Sequence, residues 1–235
     1  MPVRNYLGFD RKLKLKWMDA AAELASQPPA EAKATLEAFL STDVKGKDAR
    51  RKANDALRRL WVTCERNRLT AEAQRLFRNA TPDGRVALHY GMSLMAAPFF
   101  RDAVHFIGRL IRLQGKVGVA AVRTRIYERW GERSTLNSVT ARVFASLEDW
   151  GILKSLGRGN YEANELVITE APLGSWLLAA ALHAHQSKRL PPDELVALPE
   201  LFPFEIDNGS QLVRAGQYFA LHRQGLDRTY VHVEL

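Results

Sequence analysis

Apolar residues recur at helical spacing through most of the chain and switch to alternation in two short stretches. Over residues 11–25, Leu13, Trp17 and Leu24 sit among alanines and charges, which predicts a helix that Gln27-Pro28-Pro29 ends. Ala30–Leu40 predicts a second helix with Leu36, Phe39 and Leu40 inward. Asp48–Arg66 predicts a strongly basic third with Ala53, Ala56, Leu57, Leu60 and Trp61 inward, and Thr70–Arg78 a fourth. Thr81-Pro82-Asp83-Gly84 reads as a turn. Two apolar helices follow, Arg85–Met95 and Phe99–Leu113, separated by Pro98. Phe99, Phe100, Val104, Ile107, Leu110 and Ile111 form the stripe of the second.

The next stretch changes character twice. Val119–Trp130 is helical in spacing, Gly131-Glu132-Arg133 breaks it, and Ser134–Trp150 resumes with Leu136, Val139, Val143, Phe144, Leu147 and Trp150 on one side. Ser134 or Thr135 is the expected side-chain cap, and Gly151 the left-handed stop. Ile152–Leu156 and Tyr161–Ile168 then predict two strands around Gly157-Arg158-Gly159-Asn160. Helix, turn, helix, glycine stop and basic hairpin is the order that sets one helix in a DNA groove with a wing beside it.

Beyond this, Pro172–His185 predicts a helix with Trp176, Leu177, Ala180 and Ala181 inward, and Asp193–Leu198 a shorter one. Leu201–Ile206 is apolar and proline-broken, and Ser210–Ala215 suits a helical turn. Gln217–Arg223 and Arg228–Glu234 alternate like a hairpin around Gln224–Asp227, a second wing or an edge for a partner or another copy of the chain. The expected fold is therefore mainly α. A basic helical region spans 1–84, a helix-turn-helix with a hairpin wing 85–171, and a helix-and-hairpin extension 172–235.

Charge points to a polyanion. The 235-residue chain carries a net charge of +8, with roughly +7 in residues 1–80, +3 in 81–171 and −2 in 172–235. The basic residues of the third helix, among them Lys47, Arg50 and Arg51, read either as a second phosphate-contacting patch or as a solvated surface in which Arg51, Asp55 and Arg58 pair along the helix. On the Ser134–Trp150 helix the side away from the apolar stripe carries Thr135, Asn137, Ser138, Ala141, Arg142 and Ala145, free of acids until Glu148. Asn137, Ser138 and Arg142 suit the major groove, where Asn reads adenine and Arg reads guanine. Arg133, Ser134 and Thr135 suit phosphates, and Lys154, Arg158 and Asn160 a wing.

The stretch Ser134–Leu153 resembles the recognition helix and wing entry of bacterial winged-helix proteins, through its Ser/Thr-rich start and the step Leu147-Glu148-Asp149-Trp150-Gly151-Ile152-Leu153. A broader pattern is similar to the BrxA family of BREX phage-defence systems. It comprises the Arg-rich helix Gly46–Trp61, a helix-rich middle with Arg101-Asp102, and the helix-turn-helix end. The resemblance implies DNA binding, with other subunits of a defence complex as partners.

Other classes of chemistry leave no mark. The lone cysteine, Cys64, follows Leu60, Trp61 and Val62 and reads as a buried thiol, which fits a reducing cytoplasm. His89 and His105 read as core or interface residues, and His183 with His185 has poor spacing for a metal pair. Gly157-x-Gly159 is not a nucleotide fingerprint, and no catalytic motif, cofactor motif, signal peptide or membrane span is expected; the runs Gly91–Ile111 and Trp176–Leu182 read as buried helices. Three functions remain open. They are non-catalytic duplex-DNA binding, in defence or transcriptional control, by a monomer or homodimer; a protein adaptor using the same surface for assembly; and a repressor with an effector pocket near Trp150 and Trp176.

Overall fold

The computed structural model describes residues 7–224 and 228–234, and the protein is mainly helical with three small sheets. Four helices open it: α1 (Leu15–Glu23), α2 (Pro29–Ser41), α3 (Lys47–Trp61) and α4 (Arg68–Phe77). α3 stops five residues short of the predicted Arg66. Asn67 caps α4 instead, with its side chain accepting from the Thr70 amide at 3.0 Å and its own amide donating to Thr70 Oγ1 at 3.1 Å. The predicted turn at Thr81–Gly84 is the start of α5 (Pro82–Ala96). Thr81 Oγ1 accepts from the Gly84 amide at 3.2 Å, and Pro82 occupies the first position, where no N–H is needed. Phe39, expected inward, is exposed.

α5 and the later α9 (Ala171–Ala184) are apolar on nearly every side and form the middle of the core. Gly91 lets them meet, since a Cβ there would stand 2.5 Å from the Trp176 ring. Trp176 fills that contact and donates to the Leu69 carbonyl at 2.8 Å. Buried residues from 7–84, 85–171 and 172–235 belong to one continuous apolar cluster. His89 is enclosed there between Trp61 and Phe77, with Nε2 3.2 Å from Asp19 Oδ1.

α6 (Pro98–Gln114) leads into β1 (Val117–Gly118), α7 (Val119–Trp130) and α8 (Ser134–Asp149), then the hairpin β2 (Leu153–Gly157) and β3 (Asn160–Ala163). The sheet order is β1-β3-β2, all antiparallel, so the short strand before α7 closes on the hairpin after α8. The strand predicted to run from Tyr161 to Ile168 is broken. Asn164 donates from its amide to the Ile152 carbonyl at 3.0 Å and from its side chain to the Gly151 carbonyl at 2.7 Å, which turns the chain away. Residues beyond form β4 (Leu166–Ile168), parallel to β5 (Phe204–Ile206) in another sheet.

The chain ends in α10 (Pro192–Val196), a 3-10 turn (Pro199–Leu201), β5, α11 (Gly209–Arg214) and the antiparallel pair β6 (Phe219–Gln224) and β7 (Arg228–Val233). The hairpin loop expected at Gln224–Asp227 lies, for Gly225–Asp227, outside the described residues. The segment before α1 is not helical from residue 11 as expected. It runs extended across the end of α8, where the Leu13 amide donates to Ser146 Oγ at 2.9 Å and the Leu15 amide to Asp149 Oδ1 at 2.8 Å. Trp150 Nε1 donates to the Leu13 carbonyl at 2.8 Å. Phe9 stacks on Phe100 and edges onto Trp150. Both Trp150 and Trp176 are buried. No described helix is long and apolar enough to cross a membrane.

Candidate nucleic-acid interface

α8 is held by its apolar side. Leu136, Val139, Val143, Phe144 and Leu147 are buried, as the spacing predicts, and the Phe144 ring packs on Tyr161 of β3. Arg133, Ser134, Thr135, Asn137, Ser138 and Ala141 are exposed, and Arg142 is half-buried. The helix is not capped by Ser134 or Thr135. Its N-cap is Arg133, with no side-chain cap bond, because the helix begins one residue earlier than a serine cap requires. The hydroxyls and amides of Ser134 and Thr135 therefore stay available, the Leu136 amide being bonded to the Arg133 carbonyl at 3.0 Å, and no acid lies in the first turn.

Asn137 has a partner that the sequence pattern missed: the Tyr127 hydroxyl on α7 donates to its Oδ1. The contact fixes the amide's direction while leaving two N–H donors and a second lone pair, enough for the adenine edge. Tyr127 is half-buried on α7, next to the buried Ile126, and no spacing in the sequence marks it as the partner of Asn137. Arg123 is half-buried on α7, which packs on α8, and Lys116 is exposed before β1.

Three of the acids around this surface are engaged, while Glu132 before α8 and Glu148 on it are exposed without an ion pair among the described residues. Asp149 is held by Lys12 at 2.9 Å and by the Leu15 amide, Glu128 by Arg125 at 3.1 Å, and Glu162 by Lys154 at 3.0 Å. Lys154, expected to face DNA, is thereby tied across the hairpin. Arg133, Arg142 and Arg158 have no carboxylate partner among the described residues. At the hairpin tip Gly157, Arg158 and Gly159 take φ values of 83°, 50° and 74° in succession. A left-handed non-glycine residue costs about 1 kcal/mol, and here that strain puts Arg158 at the exposed tip with Asn160 beside it.

The basic patch on α3 is a different matter. Arg50 donates to Glu37 Oε1 at 3.0 Å and to the Val44 and Lys45 carbonyls at 3.0 and 2.8 Å, clamping the α2–α3 loop. Arg51 lies 2.6 Å from Asp48 and 3.6 Å from Asp55, and Lys52 also pairs with Asp48. Lys47 is exposed at the helix start. α3 packs on α1, α2 and α5, whereas α8 packs on α6, α7 and β2.

Cys64 is half-buried in the loop after α3. Burial pushes its thiol up, against nucleophilic use. No cluster of metal-ligating side chains occurs among the described residues. Comparison of the chain with protein-family models, curated proteins and solved structures found no match.

Proposed function

We propose that the chain binds double-stranded DNA without catalysis, through a winged helix-turn-helix made of α6, β1, α7, α8 and the β2–β3 hairpin. The observation that carries this reading is the outer surface of α8 and its wing. Short polar side chains there are joined by three arginines without ion pairs among the described residues, and Glu128, Asp149 and Glu162 nearby are neutralised by other groups. In this reading Asn137, Ser138 and Arg142 meet base edges in the major groove. Ser134, Thr135, Arg133 and the amides of the helix start hold phosphates. Arg158 reaches the neighbouring backbone from the wing, with Asn160 in support and Lys154 in a minor part.

The strained arginine supports the same reading, since a left-handed tip position favours glycine or asparagine and a charge there costs stability unless it serves contact. The proposed setting is the cytoplasm, in a phage-defence complex of the BrxA kind or in transcriptional control. A protein adaptor is the second reading, favoured by Leu156, which is 48% exposed on the wing.

Fluorescence anisotropy with a labelled duplex separates the two. Binding should weaken on the order of a thousandfold between about 50 and 200 mM salt if about six phosphates are neutralised. Absence of binding at the lower salt would overturn the DNA reading and leave the adaptor.

A further inference from the structure

Away from α8, a cavity of about 90 Å³ lies between α6, the end of α7, the end of α9 and the 3-10 turn at Pro199–Leu201. Arg101, Asp102, His105, Arg129, His185 and Glu200 line it. Gly108 makes the arrangement possible: a Cβ there would stand 2.0 Å from the Pro199 carbonyl oxygen, so only glycine lets the turn settle on α6. That approach sets Glu200 against His105, with Nδ1 and Oε1 3.1 Å apart.

Asp102 is satisfied. Arg101 holds its Oδ1, while Arg129 Nε at 2.6 Å and Trp130 Nε1 at 3.0 Å hold its Oδ2. Arg101 spends its remaining reach on the Ala184 carbonyl. Glu200 is not satisfied. Its side chain is 8% exposed, and its Oε2 is buried without a hydrogen-bond partner. Burial pushes its carboxyl up, but the hydrogen bond and charge of His105, with a backbone bond and His185, hold it below its ordinary value, so it is ionised at neutral pH. A buried carboxylate oxygen without a donor is costly.

The donors around it are of a particular kind. Arg129 commits Nε to Asp102 and keeps both terminal nitrogens for a ligand. His185 Nδ1 lies 3.0 Å from the Ser187 carbonyl oxygen and 3.2 Å from the Ser187 amide; the imidazolium donates from Nδ1 to that carbonyl and keeps Nε2–H for a ligand. The space equals that of about three waters. N–H donors facing one anionic acceptor match an oxyanion that still carries a proton.

We propose that this cavity binds inorganic phosphate in a protonated form, its oxygens accepting from Arg129 and His185 and its P–OH donating to Glu200 Oε2. Orthophosphate keeps a P–OH near neutral pH. Sulfate and a phosphodiester have none there, so the carboxylate that completes the site for phosphate repels both. The site is therefore distinct in chemistry from a DNA-backbone contact and does not rest on the DNA reading.

Calorimetric titration of the full chain with inorganic phosphate, sulfate and a nucleoside monophosphate tests this. Phosphate should bind with sulfate at least about tenfold weaker, the value of one charge-assisted hydrogen bond. Glu200→Gln should admit sulfate and bring the two anions within about threefold, one neutral bond replacing a repulsion. Arg129→Gln, on the rim of the cavity, should weaken phosphate about tenfold with an unchanged circular dichroism spectrum, and it serves if Glu200→Gln fails to fold. Tighter binding of the nucleoside monophosphate than of phosphate would overturn free phosphate as the ligand. No binding of phosphate at millimolar concentration, or equal binding of sulfate by the unaltered chain, would overturn the site.

Discussion

α3 and α8 are the two helices on which a charge-based reading of this chain divides, and they hold opposite lessons. α3 is crowded with arginine and lysine, yet Arg50, Arg51 and Lys52 are spent on Glu37, Asp48, Asp55 and loop carbonyls. α8 with its hairpin has fewer cations, yet Arg133, Arg142 and Arg158 meet no carboxylate among the described residues. A polyanion is recognised by donors that are still available, and a count of basic residues does not measure that. The paired α3 charges serve the fold, because a half-buried arginine clamping two carbonyls and a carboxylate fixes a loop in a way an exposed ion pair does not.

The largest effect that would break this contrast is on DNA affinity. Arg142→Ala combined with Arg158→Ala should weaken duplex binding about a hundredfold, from about 1–3 kcal/mol for a base-reading arginine and somewhat less for a phosphate contact. Arg51→Ala should change affinity by no more than about twofold. Equal losses for the two sets, measured by anisotropy at one salt concentration, would erase the distinction between α3 and α8. Arg50→Ala should leave affinity similarly intact while lowering stability by about 2 kcal/mol in urea unfolding, since its hydrogen bonds are charge-assisted.

A smaller effect sharpens the functional side. Arg158→Gly should raise stability by about 1 kcal/mol by relieving the left-handed arginine, and at the same time weaken duplex binding several-fold. A variant that gains stability and keeps full affinity would mean that the wing tip does not touch DNA.

The smallest concerns the layer behind α3. Burial holds His89 below its ordinary value near 6.5, with the Asp19 hydrogen bond opposing only in part. The unfolded chain therefore takes up the proton first, and stability present above about pH 6.5 is lost as pH falls below it. The melting temperature should drop between pH 7 and 5.5, and His89→Gln should flatten that slope. An identical slope in the variant would place the acid sensitivity elsewhere.

Much of this was readable in the residue order. Pro29 and Pro98 stand at the starts of α2 and α6, and Gly151 at the stop of α8, whereas Pro82 opens a helix where the residue order suggested a turn. The buried stripe of α8 followed from spacing alone. What spacing could not supply is pairing between distant segments. Arg50 looks like any surface arginine until Glu37 on another helix is beside it. The run from Tyr161 to Ile168 reads as one strand because its break is made by the Asn164 side chain on a glycine carbonyl thirteen residues earlier. His105 and Glu200 lie far apart in sequence, and only the bare Gly108 brings them together.

The strap that crosses the end of α8 has a consequence for the order in which the molecule assembles. Leu13 and Ser146 close a loop of 133 residues, so the segment that leaves the ribosome early has no seat until the far end of α8 has been made. Such a closure belongs to the late, slow part of folding. Until it happens, Phe9 and Trp150 remain without each other, and the end of the helix proposed to meet DNA lacks its strap.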